Sequence, residues 1–590
     1  MNTDSLGGHN VRNNTSNHLK RGVRHLAIAI MAMGLVAQPA AFAQTVLPKA
    51  EIGNSGGYGG IGAASSLSNT AAATNTSDIE FKADETGASF VLNAINVSGS
   101  TVFSADEFET VYAKYLGTKI DAGVVFKIAA DLTAFYRQQG YILGQVIVPP
   151  QEVEGGVVRL KAIEGYVDQV IIEGELGSER ELVHAYGERI KASRPLRADI
   201  LERYLLMAGD LAGLNVEGIL SSSNDNVGAS TLTIKSEYDW FEGSFAAVNS
   251  GSHEVGPDLL RSDLTFNSVL GLHERIMLKG AVAAEIAELQ SLELQFSAPI
   301  NDNGTSFFTR YAGSNSNPGN GLQAFNVHSI SSRASIGFKH AAIRSREENL
   351  FLTGQFDWDN LRSASNLGTL SDDHLRILRG IVDYDFVDTS LGGKPAVNII
   401  RVTLSQGLDV LGATNAGSVN KSRTNGTGVF TSLQLDAQRQ QVLSHTGLQL
   451  LIGARAQVTN VPLLSSEEFG FGGGEYGRGY DPSTLSGDNG FAGKVELQYS
   501  PENAVAGLEF LHDSQFYTFV DFAAVENLNA DGLGNSSYQN MWSAGIGVRL
   551  GLGEDVDLDL ALAYRGNPST SVKNLSHDRL RALAKFEAHF

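Results

Sequence analysis

Few residue types in this chain can make or break bonds. Cys is absent, which removes disulfides, thiolate metal sites and cysteine nucleophiles together. The 13 His are scattered, and no pair at ligand spacing has a third partner. No G-x-S-x-G, H-E-x-x-H or P-loop occurs. Gly472-x-Gly474-x-x-Gly477 spells the dinucleotide fingerprint. That fingerprint works by setting a pyrophosphate at a helix N-terminus; here no apolar strand leads in and no helical pattern follows. Glu467-Glu468 and Asp372-Asp373-His374 could attract a cation, but they flank loop sequence and read as solvated charges. No enzyme, cofactor or metal site is expected.

What stands out is Arg478. It sits at the centre of Phe469 to Leu497, FGFGGGEYGRGYDPSTLSGDNGFAGKVEL. Dense glycine lets the backbone take positive φ and pack closely, and Pro482 and Asp488-Asn489-Gly490 read as turns. A lone arginine in the Arg478-Gly479-Tyr480 tip of such a loop suits a plug or lock that folds into something. A solvated surface loop has the same composition, so the elements around it must decide.

Those elements belong to a long chain of 590 residues with a formal charge of −21. That balance argues against a nucleic-acid partner, because phosphate contact needs a basic surface. Lys20, Arg21 and Arg24, then the short apolar run Leu26 to Ala37, then Ala41-Phe42-Ala43 spell a cleaved signal peptide over residues 1–43. The run falls short of the ~20 residues a spanning helix needs. No later stretch is apolar enough to span as a helix, so any membrane role must use strands. Residues 44–88, rich in Gly, Ala, Ser, Thr and Asn, read as a flexible linker.

Residues 89–165 change character. Phe90 to Val97 is strand-like, and Ser104 with Glu107 makes a capping-box signature before a helix from Ala105 to Leu116. Asp121 caps a second helix to Gln139, which Gly140 stops. Tyr141 to Val148 and Val157 to Ile163 are strands. Residues 166–237 repeat this β-α-α-β-β order: a strand from Val167 to Glu173, a helix from a Ser178 cap to Lys191, a helix opened by Pro195 and running to Met207, and strands Leu214 to Leu220 and Ser230 to Ser236. A tandem of two small α+β units follows.

From residue 238 the period becomes two. Val495, Leu497 and Tyr499 alternate with Lys494, Glu496 and Gln498, and Leu580 to Phe590 places an aromatic–aliphatic face opposite Arg581, Lys585 and Glu587. About sixteen such segments fill residues 238–590, which fits an even-stranded antiparallel transmembrane barrel. A soluble sandwich would give similar alternation. Terminal Phe590, with Phe586 on the same face, resembles the signal read by the barrel-assembly machinery.

Each α+β unit resembles a POTRA domain. Two such units, a barrel of about sixteen strands and a loop reading R-G-Y followed by L-S-G-D-N-G resemble the transporters of two-partner secretion, the haemolysin secretion/activation type, over essentially the whole mature chain. The resemblance implies that residues 465–490 are an extracellular loop folded back into the lumen. It also implies an F-x-D-x-G motif on the thirteenth strand. Phe519-Val520-Asp521-Phe522-Ala523 occupies that place, with Ala for the final Gly. Phe519, Asp521 and Ala523 share one face, and Asp521 offers Arg478 an acceptor pair of matching geometry. The lock expected is Arg478, Gly479 and Tyr480 against Asp521 and Phe519. The alternative is that Arg478 caps loop carbonyls. The implied function is capture of an unfolded, β-rich exoprotein by the periplasmic units and its passage through an outer-membrane pore. The implied partners are that exoprotein, outer-membrane lipid and, during biogenesis, the barrel-assembly machinery. Relatives that insert other barrels into the membrane, of the BamA or TamA kind, share the POTRA units and the loop, and are the competing reading.

Overall fold

Local signals start the helices of the first unit. The computed structural model describes residues 89–175, 180–223, 226–444, 446–501, 511–530, 532–553, 555–566 and 579–590. The expected signal peptide, linker and Ser178 cap lie outside them. The unit runs β1 (Phe90–Val91), β2 (Ala94–Ser98), α1 (Ala105–Tyr112), β3 (Lys119–Ile120), α2 (Ala122–Gln138), β4 (Gln145–Ile147) and β5 (Val157–Ile163). Ser104 N donates to Glu107 Oε2 at 2.8 Å and Glu107 N donates back to Ser104 Oγ at 3.4 Å, the reciprocal box that satisfies two otherwise orphaned donors. Asp121 Oδ1 accepts from Val124 N at 3.0 Å at the head of α2. The chain from Phe90 to Val97 breaks into two strands because it changes partner. Leu92 bonds to Gly117 and Thr118, while Asn93 and Ala94 donate to Gly156. β2, β5 and β4 form one sheet, with β2 parallel to β5. Phe108, Leu132, Tyr136 and Leu160 fill the core beneath it.

The second unit repeats the topology: β6 (Tyr166–Gly174), α3 (Arg180–Lys191), α4 (Ala198–Gly209), β7 (Leu214–Ser222) and β8 (Ala229–Tyr238), with sheet order β6–β8–β7. Pro195 does not open α4, contrary to expectation. It precedes the helix, and Arg197 is the N-cap residue. The backbone there is committed elsewhere: Leu196 N donates to Gly165 O at 2.9 Å and Ala198 N to Gly140 O at 2.8 Å. These bonds tie the second unit to the first.

The remaining chain closes into one antiparallel barrel of sixteen strands, the first Phe241–Val248 and the last Leu580–His589. No described helix is long and apolar enough to cross a membrane; the strands supply the apolar belt. On the thirteenth strand, Leu511–Asn527, Val520 and Phe522 are 47% and 41% exposed on the outer face while Phe519 and Asp521 are buried inward. The second α+β unit docks on one rim. Arg344 Nη2 lies 2.7 Å from Asp210 Oδ1, Arg189 Nε lies 2.9 Å from Asp302 Oδ2, and Arg203 donates to Ala341 O at 2.8 Å. At the opposite rim the connection between the eleventh strand (Leu448–Thr459) and the twelfth (Asn489–Tyr499) turns back inside. Two short strands within it, Phe469–Phe471 and Leu485–Gly487, pair with each other and not with the wall.

Candidate lumen lock

Arg478 is placed by the backbone around it. Gly477 has φ +88° and a Cβ there would lie 2.7 Å from the Phe471 ring, so only glycine makes this turn without strain. A Cβ on Gly479 would lie 2.9 Å from Ser543 Cβ, so the tip lies flat against the wall. Phe469, Phe471, Tyr476, Tyr480 and Leu485 fold into one buried cluster with Ala492, Ala523 and Met541 of the wall. The Ala that replaces the expected Gly at 523 belongs to that cluster, and its methyl is accommodated.

The guanidinium meets its acceptors on two adjacent strands. Nη2 lies 2.9 Å from Asp521 Oδ1 and Nε 3.1 Å from Asp521 Oδ2, while the Arg478 backbone N donates to the same Oδ2 at 3.0 Å. Nη1 pairs with Glu496 of the twelfth strand. The Arg478 Cζ lies over Phe519, 3.5 Å from the ring centroid, where a cation is attracted to the ring face. Arg549 of the fourteenth strand (Ser537–Leu552) holds the other Glu496 oxygen at 2.8 Å and reaches Asp559 at 3.3 Å. Glu496 thus sits between two guanidiniums, while Asp521 takes its charged partner from Arg478. Asp521 and Glu496 are 0% and 1% exposed, and buried charges of this kind need such pairing.

The rest of the tip continues along the wall. Gly479 N donates to Ser543 Oγ at 3.3 Å. Tyr480, fully buried, has its hydroxyl 3.0 Å from Trp542 O and 3.1 Å from Gly566 O. All five expected residues, Arg478, Gly479, Tyr480, Phe519 and Asp521, meet at one place. Sequence reasoning missed Glu496 and Arg549. Alternation put Glu496 on the inner face, but the partner of an inward carboxylate depends on strand register and on the route of the loop.

Glu467 and Glu468 are not solvated loop charges. Glu467 is buried 2.9 Å from Arg379 Nη2, and Glu468 lies 3.0 Å from Arg423. Asp373 is likewise buried and accepts from Ser422 N at 3.1 Å. Among the described residues no group of three or more His, Asp or Glu could hold a metal ion. Gly472 to Gly477 stays inside the loop, with no helix after it. Phe586 faces outward, and Phe590 packs 5.9 Å from Phe241 while exchanging both backbone hydrogen bonds with Gly243 at 2.9 Å.

Comparison with known proteins agrees with this architecture. Residues 228–550 match the family model of haemolysin secretion/activation protein ShlB/FhaC/HecB, and residues 90–165 match the POTRA domain, ShlB-type. The chain is 22% identical over 424 residues to heme/hemopexin transporter protein HuxB of Haemophilus influenzae (strain 86-028NP), covering 70% of this chain and 72% of that one. It is 23% identical over 501 residues to outer membrane transporter CdiB of Dickeya dadantii (strain 3937), covering 81% and 84%. The solved structure of CdiB from Escherichia coli superposes with a TM-score of 0.68 at 20% identity, over 87% of this chain and 92% of that one; that likeness is one of fold.

Proposed function

Because the chain belongs to the haemolysin secretion/activation protein family ShlB/FhaC/HecB, we propose that its transport path is held ready by the Arg478 loop and fed by its two periplasmic units. The protein is an outer-membrane transporter of two-partner secretion, with the barrel in the membrane and the POTRA domains in the periplasm. The rim that carries the second unit is therefore the periplasmic one, and the loop enters the lumen from outside.

The observation that carries the proposal is the double anchorage of Arg478 on Asp521 and Glu496 inside a closed wall. A loop seated by buried charge pairs occupies one position, and the path beside it is defined only while that seat holds. Domain boundaries near residues 89, 165 and 237 accord with two separate cores, one around Leu132 and Tyr136 and one around Val183 and Leu232. Capture falls to these units. β4 and β7 are edge strands of their sheets, and an extended exoprotein segment can add a strand to such an edge. The outward apolar residues meet outer-membrane lipid, and the Phe590 end is what the barrel-assembly machinery would read. Transport draws on folding of the β-rich exoprotein outside the cell.

Deletion of residues 89–165 tests this reading. Secretion of the cognate exoprotein should stop while a folded barrel remains, because the barrel closes its own sheet without these residues. Continued secretion would overturn the capture role. Loss of many unrelated outer-membrane proteins would instead support a barrel-inserting factor.

A further inference from the structure

The loop tip does not stop at the Arg478 cluster. From Gly479 to Asp481 it crosses the inner faces of the last three strands and reaches the other side of the line where the ring closes. The Gly479 carbonyl accepts from Arg565 at the end of the fifteenth strand, Val556–Arg565. The Tyr480 carbonyl accepts from Arg581 of the sixteenth. Asp481 Oδ1 lies 3.3 Å from Arg581 Nη1. The Asp481 carboxylate also accepts from His253 N at 3.1 Å, and His253 Nδ1 lies 2.8 Å from its Oδ2. His253 belongs to the connection between the first strand and the second, Leu259–Asn267. Asp481 therefore touches both sides of the closing seam.

The seam is where the ring is weakest. The last strand pairs with the first from Lys585 against Val248 to His589 against Ser244, with Phe590 and Gly243 adding one further pair, and this remains the shortest ladder in the barrel. Toward the outer rim the last strand continues to Leu580 with no strand of the first hairpin beside it. Asn249 covers part of that gap: its side chain accepts from Ala584 N at 2.7 Å and donates to Ala582 O at 3.1 Å. Beyond Asn249 the task passes to Arg581, which is 7% exposed. It holds Gly251 O at 2.9 Å on the far side and Tyr480 and Asp481 on the near side.

We propose that Asp481 is a positioning residue that staples the closing seam from inside, so that withdrawal of the loop and loosening of the outer seam are one motion. This deepens the transporter reading and rests on it for its consequence. A chain entering a lumen emptied of the loop meets a wall that can widen where the first and last strands are held by the shortest ladder. The staple is charge-assisted on a buried guanidinium, which makes it stronger than a neutral hydrogen bond, and its loss leaves Arg581 under-satisfied.

The absence of Cys makes the test clean. Val248→Cys with Lys585→Cys places one thiol on each side of the seam at the outer end of the ladder. Two quantities are read on the full-length protein: the yield of disulfide trapping in native outer membranes, and conductance after reconstitution in planar bilayers. Asp481→Ala should cut trapping several-fold and raise visits to a large-conductance level about tenfold, the scale of one lost charge-assisted contact. Asp481→Glu should restore both. Oxidising the cysteine pair in the Asp481→Ala background should return the conductance to the wild-type pattern, and a reductant should release it again. His253→Ala, on the exposed half of the staple, should move both readouts in the same direction by less, and it carries the test should Asp481→Ala fail to assemble. Unchanged trapping in the variants that assemble would overturn the proposal, as would a raised conductance that the disulfide does not reverse. A wild type with no channel of any size would refute the pore reading, while the trapping yields would still judge the staple.

Discussion

Replacing Arg478 by Ala removes the charge pairs that seat the loop tip on the twelfth and thirteenth strands and leaves the apolar contacts in place. Two unit charges about 4 Å apart attract by roughly 4 kcal/mol at an effective dielectric near 20, and desolvation offsets much of this. Orphaning a buried partner is another matter, and costs about 3–5 kcal/mol. Here the orphan is Asp521, because Glu496 keeps Arg549 at 2.8 Å and accepts from Gln498 at 2.8 Å. Lys494 stands directly across the ladder from Asp521 and can compensate in part, which favours the lower end, about 3 kcal/mol, or roughly a hundredfold less of the seated loop. Asp521→Ala should cost less, about 1–3 kcal/mol, because Arg478 retains Glu496. Secretion of the cognate exoprotein, measured at matched levels of heat-modifiable barrel, should fall at least tenfold for Arg478→Ala and less for Asp521→Ala. The double variant should resemble Arg478→Ala alone, the non-additivity of directly coupled residues. Arg478→Lys should rescue only in part, since one ammonium cannot serve both carboxylates and also lie over Phe519. Fully multiplicative defects in the double variant, or normal secretion by Arg478→Ala, would refute the lock.

Removing Phe590 deletes the reciprocal backbone bonds to Gly243 and the ring against Phe241. Barrel levels on heat-modifiability gels should drop, and unchanged levels would show that neither the assembly signal nor this end of the seam depends on it. In the first POTRA unit, burial pushes the Glu164 carboxyl up, but hydrogen bonds from Thr101, Tyr136 and Val102 outweigh it and leave the group below the ordinary glutamate range. A lowered folded pKa gives stability that is present above the unfolded value, about 4.3, and is lost as pH falls through the folded one. Thermal melting of a periplasmic fragment over residues 89–238 should show that acid limb and Glu164→Gln should flatten it; identical pH profiles would refute the assignment.

The architecture was legible because its signals are local. A capping box lies within four residues of chain, and period-two alternation needs only a single strand. The alternation of Val157–Ile163 marks its observed limits, and the alternation around Asp521 puts the correct face inward. The charge network was not legible. Glu467 and Glu468 carry no local mark of burial; their partners Arg379 and Arg423 come from the eighth strand (Gly368–Asp388) and a separate outer loop. Pro195 shows the reverse error. Its local preference for a first helical turn yields to backbone bonds that join two domains, and no pattern inside one helix reports on that junction.

The division between legible and hidden follows what each part must do. The wall has to be permanent, so it is written in apolar periodicity, the strongest and least reversible signal available. The loop has to stay in one place and also leave it. Phe469, Phe471, Tyr480 and Leu485 supply the apolar part of its seat, and a seat made only of such residues would be deep but imprecise. Charge pairs add position without much depth, because desolvation cancels most of their attraction while a misplaced charge stays expensive. The network also has fallbacks. When Arg478 lifts away, Glu496 still has Arg549, and Asp521 still accepts weakly from Ser543 Oγ at 3.4 Å with Lys494 across the ladder. The wall left behind keeps Glu496 paired and leaves Asp521 alone short of a full partner, which limits the cost of the unseated state and makes the loop removable by a translocating chain.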